Sequence, residues 1–187
     1  MAIFEFVIGL YAIIAGLGIS LLVHSIGEMI EGRRRLRLYW VQTVWIALIL
    51  AAHISSWFTF WHFSEQQTWT PLDVMLVLSV PILLYLVSHL AVPNLEPRHD
   101  TDLRAYYFEH HRWMQGLLIT SVVLAQASQY LILGRTAFET PDIARTLAIA
   151  FLLPGLISRA PWVHATQAVL LATLMLLGLS FVFTPIG

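Results

Sequence analysis

Tyr39–Trp57 reads YWVQTVWIALILAAHISSW, and Arg112–Tyr130 reads RWMQGLLITSVVLAQASQY. Each is long and apolar enough to cross a membrane, which takes about 20 mostly apolar residues. They also match each other. At an offset of 73, Trp40, Gln42, Ile46, Ala52 and Ser55 meet identical Trp113, Gln115, Ile119, Ala125 and Ser128. The sequence therefore presents two related membrane helices.

The rest of the chain agrees. Of 187 residues, 58% are hydrophobic and 11% charged, with a mean hydropathy of +0.76. Soluble domains carry about 25% charged residues. Six windows qualify as spans: roughly 3–26, 39–61, 71–92, 110–133, 142–159 and 162–184. Short connections leave no room for a soluble domain, so the expectation is an all-α, polytopic membrane bundle of six helices. The first span is read as retained, because MAIFEF has no basic n-region and no cleavage pattern follows.

Composition removes several chemistries. There is no cysteine, so disulfides, iron–sulfur clusters and thiolate zinc sites are excluded. All ten basic residues are arginine, which excludes a Schiff-base lysine. No nucleic-acid partner is expected. The net charge of −1 says little, because the charges are segregated. Arg33, Arg34, Arg35 and Arg37 occupy the first loop, and Arg98, Arg104 and Arg112 the third. The second loop has no basic residue. The positive-inside rule then puts loops one, three and five in the cytoplasm and both termini outside.

A second pair of segments repeats at an offset of 70. TPLDVMLVLSVPILLYLVSH (70–89) matches TPDIARTLAIAFLLPGLISR (140–159). Thr70–Pro71 and Thr140–Pro141 each place a capping hydroxyl before an N1 proline, with Asp73 or Asp142 in the first turn. Pro81 and Pro154 fall inside spans. The expectation is a duplicated helix hairpin. Trp162–Val163–His164 echoes Trp40–Val41–Gln42, and His24 ends the first span as His89 ends the third and Arg159 the fifth. A third hairpin, split between the last and first spans, would give a pseudo-threefold bundle.

Two polar layers are candidate sites. Gln42, Ile49, His53 and Ser56 form a stripe on the second span. Gln115, Val122, Gln126 and Gln129 form the same stripe on the fourth. Such groups hold helices together or line a path for a solute or ion. His53, well inside the membrane, is a candidate proton carrier. The second layer lies near the cytoplasmic ends. There His24, His89, Arg159 and His164 could gate or sense protons, or His24, Glu28, His89, Glu109, His110 and His164 could bind a transition metal or haem. The stretch Glu109–His110–His111–Arg112 also reads as the solvated end of a span. Gly9, Gly16, Gly18 and Ser20 give the first span a face for close helix contact. Trp57, Trp61, Trp69 and His62 read as an interface belt.

RLRLYWVQ (Arg35–Gln42) and TDLRAYYFEHHRW (Thr101–Trp113) resemble motifs of a family of small, uncharacterised bacterial multi-pass membrane proteins. The resemblance implies a bacterial inner membrane and carries over no activity. The leading expectation is a channel or carrier for a small solute or ion, homo-oligomeric in the bilayer and without a cofactor. An enzyme is the less favoured class. The alternatives are a haem- or metal-binding redox or sensory protein, and a structural subunit.

Overall fold

The computed structural model describes residues 3–32, 36–93 and 101–182. It is a bundle of six helices: α1 (Ile3–Glu31), α2 (Trp40–Phe60), α3 (Pro71–Ala91), α4 (Leu103–Leu133), α5 (Thr140–Ile157) and α6 (Pro161–Val182). All six are long and apolar enough to span a membrane. The protein is a multi-pass membrane protein.

α1 shows how the bundle is held. Its buried residues Val7, Tyr11, Ala15, Gly18, Leu22, Ser25 and Met29 recur at intervals of three and four. That spacing keeps one stripe facing the neighbours while Ile13, Leu17 and Val23 face outward. In lipid, outward-facing apolar residues carry no penalty. Helix association therefore rests on close packing and interhelical hydrogen bonds rather than on the hydrophobic effect.

α3 packs on α4, α1 and α2, α4 on α5, α5 on α6, and α6 returns to α2. α2 packs on α3 and α4 on α5, the two hairpins expected to be duplicates, and α3 on α4 and α5 on α6 are packed as well. In a threefold arrangement α1 would pair with α6. The main neighbours of α1 are α3 and α2.

Helix starts follow local chemistry. The Thr70 hydroxyl accepts from Asp73 N at 3.2 Å, and Thr70 N donates to the Asp73 carboxylate at 2.8 Å. At α5 the cap falls one residue earlier than the Thr140 expected. Glu139 is the N-cap, and its N–H donates to Asp142 at 2.9 Å. α4 ends on Gly134, whose φ of 62° lies in the left-handed region that glycine enters without strain.

The largest departure from the expected spans is the start of α4. Hydropathy places it near 110, but Asp102 caps the helix by accepting from Arg104 N and Ala105 N at 2.9 and 3.1 Å. Arg104, Glu109 and Arg112 hide these turns from a hydropathy window without breaking helical geometry. α1 similarly runs to Glu31. At 1.5 Å per residue each of these helices is about 45 Å long, against about 30 Å of hydrocarbon. Both overhang on the side of the arginine-bearing loops. There a short parallel pairing, Leu36 with Thr101 and Arg37 with Asp102, ties the segment before α2 to the segment before α4.

Candidate functional site

Among the described residues, buried polar groups gather first around His53, second around Asp142 and Arg145, and third between α4, α5 and α6, and cavities of about 60 and 350 Å³ lie beside them. The first cluster centres on His53 of α2, which is fully buried. Its Nε2 lies 2.9 Å from Ser88 Oγ, and the Ser88 hydroxyl donates to Leu84 O at 2.9 Å. The one serine proton is thus committed to the backbone. Ser88 Oγ must accept from His53 Nε2–H, which makes Nδ1 the basic nitrogen of the neutral ring. Nδ1 has no hydrogen-bond partner among the described residues. α1 closes over the ring at Gly18. A Cβ built there would lie 2.4 Å from Cε1 and 2.5 Å from Nε2 of His53. Among the small residues of α1, Gly18 makes this approach, whereas Gly9 and Gly16 face open space.

A cavity of about 60 Å³ lies one turn from His53, away from the arginine loops. Tyr11 of α1, Ser56 and Thr59 of α2, Val80 of α3, Ser128 of α4 and Arg145 of α5 line it. Ser56 donates to His53 O at 2.7 Å, and Ser128 to Ala125 O at 2.9 Å. Arg145 bonds Asp142 at 3.0 Å and reaches Gln129 Oε1 at 3.5 Å. Asp142 is fully buried and also receives the Tyr130 hydroxyl at 3.0 Å.

A second cavity, of about 350 Å³, lies at the arginine-loop side between α1, α3 and α4. It gathers His24, Glu28, His89 and His110, with Ser25 and Tyr106. His24 and Glu28 approach to 3.6 Å. His110 stacks on Tyr106 at 4.3 Å between ring centres, and its Nδ1 lies 3.0 Å from Tyr106 O.

The third cluster joins α4, α5 and α6. The Tyr107 hydroxyl lies 2.9 Å from His164 Nδ1, and His164 Nε2 lies 2.9 Å from Ser158 O. His164 therefore donates from Nε2 and accepts the tyrosine proton on Nδ1. Gln115 donates to Gln167 Oε1 at 3.2 Å, and Gln167 donates to Phe151 O and Leu152 O at 2.6 and 3.0 Å. Those carbonyls lie within the turn of α5 that precedes Pro154. Gly155 leaves room for both amides, since a Cβ there would meet Gln167 Oε1 at 2.1 Å. His111 packs edge-on against His164, with ring centres 5.0 Å apart.

Several expected groupings separate. The polar stripes of α2 and α4 do not converge on one path. Gln42 donates to Ala91 O of α3, while Gln115 turns to α6. Ser56 lines the smaller cavity. On α4 its lining comes from Ala125 and Ser128, each one position before Gln126 and Gln129. The reason is the helical pitch: adjacent residues point about 100° apart, so a one-residue error turns a side chain off the cavity.

Of the residues expected at the arginine-loop face, four share the larger cavity. His164 lies in the third cluster, Glu109 is exposed, and Arg159 is exposed. Among the described residues, no group of three or more His, Asp or Glu is placed to hold a metal ion. Arg33, Arg34, Arg35 and Arg98 lie outside the described residues.

The sequence reading missed Arg145, Tyr107, His111 and Gln167 as site residues. Arg145 carried the clearest signal, a cation one turn inside a span. Leu103, Tyr107, His111, Met114 and Leu118 also show the three-and-four spacing of a buried stripe. No protein-family model, no curated protein and no solved structure matches the chain.

Proposed function

We propose that this protein is a channel or carrier for a small solute or ion, with His53 passing protons between the two cavities. One observation carries the reading. Along α1 the smaller cavity is lined at Tyr11 and the larger at Leu21, His24 and Ser25, with Gly18 between. Along α3 the linings are Val77 and Val80, then His89 and Leu90, with Leu84 and Ser88 between. His53 meets both Gly18 and Ser88 in that intervening layer.

A bare basic nitrogen in that position is what a proton relay needs. Protonation adds an N–H at Nδ1 that must then find an acceptor in water or ligand. Leu22 and Leu84, both buried in the core, flank this layer. The expected setting is a bacterial inner membrane, with the arginine loops in the cytoplasm and both termini outside.

The test is proton flux into liposomes that contain the purified chain, driven by an imposed pH gradient. His53→Gln keeps a polar side chain and removes the titrating group. It is expected to cut the flux at least about tenfold, a loss typical of a removed proton-transfer group. Wild-type flux no greater than that of empty liposomes, or His53→Gln flux equal to wild type, overturns the reading.

A further inference from the structure

Arg145 gives the smaller cavity a chemical preference. It is the charged residue among those lining that cavity, and no described carboxylate lines it beside the guanidinium. Asp142 bonds Nη1 from within α5. The same Nη1 serves Gln129. Arginine has five N–H donors in a planar fork, so donors remain for a ligand. The hydroxyls of Ser56 and Ser128 are committed to backbone carbonyls; Tyr11 and Thr59 bring further hydroxyls to the lining, and among the described lining residues the guanidinium is the charged donor.

Size narrows the class further. A water needs about 10–15 Å³ of such volume, so 60 Å³ admits a ligand of about four heavy atoms. Much of the rest of the lining is apolar: Phe60, Phe63, Val77, Val80 and Ala125. A small cation would meet the guanidinium and no described lining carboxylate, because Asp142, which pairs with Arg145, is buried outside the lining. A small anion would meet a charge-assisted donor in a small cavity with a largely apolar lining.

We infer that the smaller cavity binds a small monovalent anion, the conjugate base of a weak acid, which crosses together with the proton carried by His53. The inference rests on the proton-relay reading and names its substrate class. Moving one proton with one anion transfers no net charge. That spares the chain the cost of carrying an isolated ion through hydrocarbon.

The full-length chain is reconstituted in liposomes of phosphatidylethanolamine and phosphatidylglycerol. Uptake of formate, nitrite and chloride is compared with uptake of rubidium, with and without an acidic exterior. The expected result is saturable formate or nitrite uptake, accelerated by the acidic exterior, with no rubidium uptake above empty liposomes. Arg145→Gln should raise the half-saturating anion concentration about tenfold, the usual loss for a charge-assisted hydrogen bond. Asp142→Asn removes the neutralising charge and should lower that concentration about threefold.

A purely structural arginine would show both variants impaired together, so opposite shifts separate the two roles. The selectivity of the wild-type protein decides the matter even if neither variant folds. Uptake of rubidium, uptake of chloride alone, or acid-driven proton flux with no uptake of formate or nitrite, overturns the anion inference and leaves the relay reading standing. Absence of both proton and anion flux overturns both.

Discussion

At the scale of single residues, the interior depends on what is absent as much as on what is present. Gly18 matters because it has no Cβ, which lets the backbone of α1 lie against the His53 ring. A methyl group there must displace a ring held on its other side by Ser88. Overpacking of this kind costs about 1–3 kcal/mol. Gly18→Ala is therefore expected to lower the thermal unfolding midpoint in detergent and to reduce His53-dependent proton flux. Gly16→Ala, where a Cβ meets open space, should do neither. An unchanged midpoint and flux in Gly18→Ala would show that the contact carries no energy. His53 was legible in the sequence because a histidine in a long apolar run is conspicuous. Its partners were not. Serine and glycine are common in membrane helices, and nothing local in GLGIS marks Gly18 above Gly16. Arg145 was legible in principle but was hidden among the interfacial charges that begin α5.

At the scale of elements, α4 shows one helix doing two jobs in its first three turns. Arg104, Glu109 and Arg112 form a wet face, while Leu103, Tyr107, His111 and Met114 form a buried one. The stretch Glu109–Arg112 is thus both a solvated edge and the wall of an interior cluster, divided by the helical period. Tyr107→Phe removes the donor to His164 Nδ1 and leaves that nitrogen buried without its best partner. The expected loss is about 1–3 kcal/mol, read as a fall in the unfolding midpoint. Arg112→Gln, on the exposed face, is expected to change it by less than about 0.5 kcal/mol. The connection from α5 to α6 depends on the same cluster. Gln167 on α6 donates to Phe151 O and Leu152 O in the turn before Pro154, which ties α6 to the proline-bearing end of α5.

At the scale of the whole molecule, the two cavities lie on opposite sides of the layer that holds His53, Gly18 and Ser88, and the overhanging ends of α1 and α4 line the larger of them together with the end of α3. The proposed orientation is open to a direct test, because the chain has no native cysteine. Arg37→Cys, on the arginine-loop side, is expected to react with a membrane-impermeant maleimide only after the cells are opened. Gln66→Cys, beyond the opposite end of α2, should react in intact cells. The reverse pattern would invert the topology. Six spans and their membrane setting were available from the sequence, because in lipid every backbone polar group must be satisfied within a helix, and hydropathy reports that constraint directly. The helix caps at Thr70 and the prolines Pro71 and Pro141 were equally local. Tertiary structure alone decided which polar face met which. The related stripes of α2 and α4 carry the same residue spacing, yet Gln42 finds the end of α3 and Gln115 finds α6. Rotation of a helix about its axis is set by the packing of its neighbours, and in a membrane the uniformly apolar outer surface gives the sequence little to say about it.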